Sequence, residues 1–262
     1  MRIVTLVDNC AGLPYAQSKV IKSSSTKTKG VFAVHGLSLF VENDKGHKIL
    51  IDTGPSETVI LNNLETMDLK PTDFQAVFIT HGHFDHVGGL IPFIKEKIPI
   101  FTHPMTFKGK RYSLRANTKV DISSPTNVLE ALFQAKMNLF STSIELMPGV
   151  KTSGEIPRIT DFERPLNFLR DERDKITEDF IIEEQAIYIS TKKGLVIITG
   201  CAHSGIVNIV THAKRTTGSK IHMVIGGLHL GEASQERIRI TMDQLKNLGV
   251  DKIAPLHCSG FN

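Results

Sequence analysis

The chain has 262 residues, 40% hydrophobic and 22% charged, which are the proportions of a globular protein long enough to bury a core. Its formal net charge of +4 is too small to indicate a nucleic-acid partner but suits a small anionic substrate, and no apolar run approaches the roughly 18 residues of a membrane span. Three cysteines are too few for a disulfide framework, so we expect a cytoplasmic protein without a membrane partner.

The first third of the chain is predicted to form strands at 2–7, 31–42 and 47–54 and a helix at about 56–66. The tetrapeptide NDKG joins the second and third strands and is typical of a hairpin turn. The apolar run QAVFIT that follows, residues 75–80, is typical of a short buried strand.

The segment THGHFDHVGGL, residues 80–90, carries four potential metal ligands within six positions, His81, His83, Asp85 and His86. Histidine and carboxylate side chains bind zinc, iron and manganese. On an extended segment His81 and His83 point the same way and can bind one ion, whereas Asp85 and His86 can face a neighbouring ion. A polar loop with coincidental histidines is the alternative, and four potential ligands within six residues at the end of a buried strand argue against it.

The residues after this cluster change to helical spacing, because Val87, Leu90, Ile91 and Ile94 fall on one face of a helix. The cluster is therefore predicted to lie between a buried strand and a helix. We expect the N-terminus of that helix to favour an anion beside the metal ions.

Segments 104–140 and 161–180 are predicted to be lids or inserts. The first contains FKGKRYSLRANTK, with five basic residues and no acidic residue. The region 161–184 is densely charged with both signs and is expected to be exposed.

The last third of the chain repeats the earlier order of elements. A hairpin turned at TKKG is predicted at 183–200, a helix from Ile206, a strand at 220–227, a helix from the N-cap Ser234 to Gly249, and a final strand at 251–257. VIITGCAHSGIVNI resembles VFITHGHFDHVGGL in being a strand, a ligand-rich loop and a helix, which indicates a pseudo-duplicated, layered α/β fold.

The motif H-x-H-x-D-H after a buried strand, with Asp52 upstream in ILIDTG, is similar to the metallo-β-lactamase superfamily. The resemblance runs from about residue 31 to the end and implies one domain, residues 1–262, with a four-layer αββα sandwich and a two-metal site at the edge of its two sheets. It implies that His81 and His83 bind the first metal ion and that Asp85 and His86 bind the second. Asp52 would orient the site, or would be a strand-end turn residue, or both.

The sequence departs from that family downstream, because no histidine lies between His103 and His203. His203 is the expected third ligand of the first ion, and His257 in APLHC is the expected terminal ligand of the second. Cys201 stands where the family has a bridging aspartate, and it is a thiolate ligand, a support for other ligands or a small buried residue. Zinc is the expected metal, with manganese or iron as alternatives, and Asp85 and His203 are also the expected catalytic residues.

The segments HGLSLFVE, PGVKTSGEIPR, TGCAHSGIVN, IGGLHL and PLHCSG together resemble one branch of the superfamily, the archaeal dihydropterin-methyl transferases, which are dihydropteroate-synthase-like. The resemblance implies an enzyme of methanopterin biosynthesis that joins a dihydropterin-methyl diphosphate to an aryl ribosyl phosphate and releases pyrophosphate. The expected substrate-binding residues are Arg158, Lys110, Arg111, His35 and His229. For the basic run that holds Lys110 and Arg111, a solvated loop is the alternative.

Two other functions stay open at this point. One is a metallohydrolase acting on a phosphodiester, a phosphonate or a lactone. The other is a non-catalytic ligand sensor, which would require a broken set of metal ligands. A transferase should exclude water from its site, and the two predicted lids are long enough to do so.

Overall fold

The computed structural model describes residues 1–9, 30–116, 118–165, 167–172 and 175–260, apart from the side chain of Glu172. The remaining residues, with Cys10 among them, lie outside the described part. Within the described ranges, no helix is both long and apolar enough to cross a lipid bilayer.

The described residues form two six-stranded sheets, one four-stranded sheet and six α-helices, with short 3-10 turns at Pro71–Asp73, Leu132–Gln134 and His257–Ser259. The strands are β1 (Arg2–Val7), β2 (Ser38–Glu42), β3 (Lys48–Ile51), β4 (Ala76–Phe78), β5 (Ile100–Thr102), β6 (Lys110–Arg115), β7 (Thr118–Asp121), β8 (Met137–Leu139), β9 (Glu145–Met147), β10 (Val150–Thr152), β11 (Phe168–Glu172), β12 (Lys175–Glu178), β13 (Ile187–Thr191), β14 (Gly194–Thr199), β15 (Ile221–Gly227) and β16 (Ile253–Leu256). The helices are α1 (Glu57–Thr66), α2 (Phe84–Val87), α3 (Ile91–Lys95), α4 (Thr126–Ala131), α5 (Ile206–Thr217) and α6 (Gln235–Asn247).

The two large sheets pack face to face, and each carries helices on its outer face. The strand order is β1-β2-β3-β4-β5-β8 in the first sheet and β16-β15-β14-β13-β10-β9 in the second. Three buried apolar clusters separate the layers: one between the first sheet and α1 and α3, one between the sheets, and one between the second sheet and α5 and α6. The predicted four-layer αββα sandwich is confirmed, because each sheet buries apolar side chains on both faces.

The two predicted lid segments meet in the third sheet, whose order is β12-β11-β6-β7. Strand β11 pairs antiparallel with β6, so that Phe168 lies opposite Ser113 and Arg170 opposite Arg111. Their function as lids stays a prediction.

The prediction that residues 161–184 are exposed is wrong for four acidic side chains, Glu163, Asp179, Glu183 and Glu184, which are buried. Each has a hydrogen-bond or ion-pair partner inside the protein. Glu163 accepts from the backbone amides of α5, Glu184 from the backbone amides of residues 203 and 204, and Asp179 and Glu183 pair with a buried arginine. A carboxylate can be buried when such partners replace its water.

Most predicted elements are confirmed, including β1, the hairpin at NDKG, α1, the hairpin β13–β14, α5, β15, α6 with Ser234 as its N-cap, and β16.

The strand predicted at 31–42 begins only at Ser38. Gly36 is the reason: at its φ of 149°, an added Cβ would lie 2.6 Å from the carbonyl oxygen of Asp85 and 2.7 Å from Pro55, so the backbone here turns closely around its neighbours.

The single helix predicted from Val87 to Ile94 is broken into α2 and α3, although all four of its apolar residues are buried. The amide of Gly89 donates to the carbonyl of Gly54, and the carbonyl of Asp85 accepts from Leu37. In a continuous helix the amide of Gly89 would donate to the carbonyl of Asp85, and here each group has a partner from another segment instead. With only four residues, α2 is too short for a substantial helix dipole, and the expected anion site at its N-terminus stays a prediction.

The break at Gly88 generates a prediction about stability. An added Cβ at Gly88 would lie 2.0 Å from the carbonyl oxygen of Pro55. We expect Gly88→Ala to lower the free energy of unfolding by about 1–3 kcal/mol, as overpacking does elsewhere. The control is Gly30→Ala, where an added Cβ would contact nothing within 4 Å. Equal urea midpoints for the two variants would contradict this account of the close approach.

Candidate metal centre

The potential ligands collect where the parallel strands of the two large sheets end. In each sheet these strands point the same way, so the residues that follow them share one edge. The residues that follow β3, β4, β14, β15 and β16 are, in that order, Asp52, His81, Cys201, His229 and His257. The two edges touch, because the Nε2 atom of His86 lies 3.1 Å from the sulfur of Cys201.

His81, His83 and His203 form the first group of potential ligands, with one ring nitrogen from each within 4.8 Å of the others. The closest pair is Nε2 of His81 and Nδ1 of His83, at 3.1 Å. All three side chains are buried, and neither ring nitrogen of His203 has a hydrogen-bond partner among the described residues. Buried nitrogens without partners are costly, and a bound cation would satisfy them.

Burial lowers the pKa of His81, His83 and His203 well below the usual range of histidine, and neighbouring imidazoles lower it further. Arg111 also lowers the pKa of His81 and His83. Histidine binds metal ions in its neutral form. This group of three residues therefore fits a divalent cation.

Asp85, His86 and His257 form the second group. The Oδ2 atom of Asp85 lies 3.2 Å from Nε2 of His257 and 3.8 Å from Nε2 of His86. Asp52 orients His86, since its Oδ2 atom lies 2.6 Å from Nδ1 of that ring, and both Asp52 oxygens also accept from Thr80. Burial disfavours a charged His86, but the carboxylates of Asp52 and Asp85 raise its pKa to about 9.

Cys201 lies between the two groups. Its sulfur is close to His81 and His86, to His203 and His229, and to His257 and Cys258, within 4.8 Å in each case. The cysteine is buried, and burial raises the pKa of its thiol. Its place between the groups is where the superfamily resemblance puts a bridging carboxylate.

Two of the predicted substrate-binding residues, His229 and His35, adjoin these groups. The ring of His229 lies 4.5 Å from that of His203, and Nε2 of His35 lies 3.2 Å from Oδ2 of Asp85. Lys110 is exposed at the start of β6. Arg158 is half-buried and donates to the carbonyls of Phe180 and Ile181, so it ties two loops together.

The surroundings of Arg111 differ most from those predicted, which were either a phosphate-binding site or a solvated loop. Its side chain is 1% exposed. The guanidinium lies 2.6 Å from Asp179 and 2.8 Å from Glu183, and it donates to the carbonyl of Met105. A role in phosphate binding stays a prediction, but the structure engages these donors with internal partners.

Four site neighbours were not expected from the sequence. Phe168 stacks on His83 with ring centroids 5.7 Å apart, and Glu184 accepts from the amide of His203 at 2.8 Å. Asn9 contacts His257, and Cys258 lies beside Cys201. Only Asn9 and Cys258 carried a signal in the sequence: the first lies two residues after the end of a strand, and the second adjoins a predicted ligand.

Comparisons with known proteins agree with this geometry. A family model of the metallo-β-lactamase superfamily matches residues 31–203. Over 243 residues the chain is 36% identical to the 7,8-dihydropterin-6-methyl-4-(β-D-ribofuranosyl)-aminobenzene-5′-phosphate synthase of Methanocaldococcus jannaschii, which covers 87% of this chain and 81% of the relative. It is 28% identical to MJ0448, an uncharacterized protein of the same organism, over 90% of this chain and 88% of that one.

A solved structure is similar over almost the whole chain. Tm1679, a metal-dependent hydrolase of the β-lactamase superfamily, matches with a TM-score of 0.78 and 27% identity, and the match covers 98% of this chain and 88% of that one. The expected resemblance is thus confirmed in sequence and in fold. The chain belongs to the metallo-β-lactamase superfamily, whose enzymes act with divalent metal ions.

Proposed function

We propose that this protein is a metal-dependent transferase that condenses a dihydropterin-methyl diphosphate with an aryl ribosyl phosphate and releases pyrophosphate. The observation that carries the proposal is the 36% identity, over most of both chains, to the archaeal synthase. The two groups of potential ligands support it, because the metal ions that they would hold could bind an anionic diphosphate.

The proposed ligands of the first metal ion are His81, His83 and His203. Those of the second ion are Asp85, His86 and His257, with Asp52 orienting His86. Imidazole and carboxylate ligands suit zinc, and they also accept manganese or iron.

In the proposed reaction, the aryl amine forms a C–N bond to the methylene carbon, the C–O bond to the diphosphate breaks, and the amine loses a proton. Divalent ions in this site would supply positive charge that stabilises the leaving diphosphate. Asp85 is a carboxylate that can accept the proton. Burial disfavours its ionised form, but the charge of His86 and the hydrogen bond from His35 hold its pKa well below the usual range.

An apolar wall beside the first group suits a flat ring and the exclusion of water. Phe168, Ile122 and Ile181 pack together with Phe84, and the ring of Phe168 lies against both His83 and His203. Two of these residues come from the predicted lid segments. We propose that these segments keep water from the reacting carbon, which a transferase requires and a hydrolase does not.

The second candidate is a metallohydrolase of a phosphodiester, phosphonate or lactone. It is favoured by the structural similarity to Tm1679, itself a metal-dependent hydrolase. A ligand sensor has less support, because both groups of potential ligands are present in this chain.

The first test is pyrophosphate release from dihydropterin-methyl diphosphate, with and without the aryl ribosyl phosphate, using protein loaded in turn with zinc, manganese and iron. We expect release that depends on the second substrate, together with a coupled product detected by mass spectrometry. Metal-dependent cleavage of simple phosphodiesters without any coupled product would replace the transferase with the hydrolase.

We expect His83→Ala to lower both turnover and metal content. Removing a ligand should reduce activity at least about 100-fold, since even residues that support ligands contribute 10–100-fold. Elemental analysis and turnover measure the two effects. The control is His47→Ala, an exposed histidine at the β2–β3 hairpin. Full activity of a metal-free His83→Ala protein would disprove the metalloenzyme assignment.

Replacing Cys201 with serine should change the occupancy of the second ion more than that of the first, because the sulfur lies 3.1 Å from the proposed second-ion ligand His86. Elemental analysis and anomalous diffraction from crystals report the two occupancies. Cys258→Ser, whose thiol contacts the carbonyl of Cys201, controls for a general disturbance of the pocket. An equal loss of both ions would count against this placement.

A further inference from the structure

The end of strand β1 reaches the second group of ligands through Asp8 and Asn9. The Oδ1 atom of Asp8 accepts from the backbone amide of His257 at 2.7 Å. The Oδ1 atom of Asn9 lies 2.9 Å from Nδ1 of His257, and its Nδ2 atom lies 3.5 Å from Nδ1 of His35. One amide side chain thus contacts two imidazoles, and both of those imidazoles face Asp85.

Two backbone contacts define which end of the Asn9 amide is oxygen. The amide N–H of Gly36 points to Oδ1 at 3.3 Å, so that atom must be an acceptor. The carbonyl of His257 faces Nδ2 at 3.3 Å, so that atom must be a donor. A flipped amide would bring two donors together on one side and two acceptors on the other.

This orientation requires opposite tautomers in the two histidines. Because Oδ1 of Asn9 only accepts, His257 must carry a proton on Nδ1, and in the neutral ring, the form that binds metal ions, Nε2 presents a lone pair. Because Nδ2 of Asn9 only donates, Nδ1 of His35 accepts, and the proton of His35 must lie on Nε2. Both Nε2 atoms lie 3.2 Å from Oδ2 of Asp85.

The consequences for Asp85 differ between the two rings. The Nε2–H of His35 can donate to the carboxylate directly. A lone pair on His257 facing a carboxylate oxygen at 3.2 Å is repulsive unless a cation lies between them. Asp52 likewise keeps a proton on Nδ1 of His86, which lies 2.6 Å from its Oδ2 atom.

We propose that Asn9 is a positioning residue of the metal centre, which sets His257 to the tautomer that binds the second metal ion and sets His35 to the tautomer that donates to Asp85. The inference rests on the second ion of the proposed function, but it does not depend on the pterin reaction. His35 then acts on the carboxylate as a hydrogen-bond donor, and its side chain, 54% exposed, is open to a substrate.

Asn9→Ala and Asn9→Asp separate the two effects. An aspartate still accepts from Nδ1 of His257 but cannot donate to His35. We expect Asn9→Ala to weaken binding of the second zinc ion about 10–100-fold, the range found for residues that orient metal-bound histidines, and we expect Asn9→Asp to restore it. Zinc affinity is measured by competition with a chelator, and Asn138→Ala, an exposed asparagine on β8, is the matched control.

The tautomers themselves are read from long-range ¹H–¹⁵N NMR spectra of the zinc-loaded protein with ¹⁵N-labelled histidine. We expect a proton on Nδ1 of His257 and on Nε2 of His35 in the native protein, and a change only at His35 in Asn9→Asp. A proton on Nε2 of His257, or equal zinc affinity in Asn9→Ala and the native protein, would overturn the proposal. Neither measurement depends on pyrophosphate release. A failure of the Asn9 proposal can therefore be distinguished from a failure of the transferase assignment.

Discussion

Burial of converging imidazoles between two sheets is the constraint on which the rest of the site depends. A polar ring nitrogen taken out of water needs a partner, and the five buried histidines of the two groups cannot all pair with one another. The surrounding elements therefore supply oriented partners: Asp52 for His86, Thr80 for His81 and Asn9 for His257. The atoms left without such partners face inwards, where cations would lie.

Four of the nine non-glycine residues with positive φ in the described part of the chain lie at the same edge. Asp52, Ala202, His229 and His257 have φ values of 55°, 58°, 51° and 52°, although none is glycine. Each follows the end of a parallel strand, and the left-handed conformation turns the chain there towards the metal groups. Such residues cost about 1–3 kcal/mol each, a cost that the three apolar clusters of the sandwich must offset. Residues with strained backbone conformations often cluster at functional sites, where the surrounding structure holds them in place.

Buried charge connects the third sheet to the metal centre. Arg111 on β6 lies 2.8 Å from Glu183, and the next residue, Glu184, accepts from the amide of His203. Burial raises the pKa of Glu183 to about 7, although Arg111 opposes the shift. The sheet that carries Phe168 is thus linked through two adjacent glutamates to the loop that carries His203. The same two glutamates therefore help to position both the apolar wall and the first group of ligands.

Local pattern was enough to predict most strands in the first and last thirds of the chain and the compact cluster at His81, His83, Asp85 and His86, because period and spacing describe segments a few residues long. The four-layer αββα sandwich was implied by the resemblance to the superfamily, and strands β5 to β12 were not predicted. Contacts between distant segments followed from tertiary structure alone. Asn9 meets His257 across 248 positions, Arg111 is buried by acidic residues of another segment, and Gly89 bonds Gly54 instead of continuing a helix. Alternation and helical spacing report which face of an element is apolar, but they carry no information on which side chain from elsewhere will lie opposite it. That depends on how the edges of the two sheets come together.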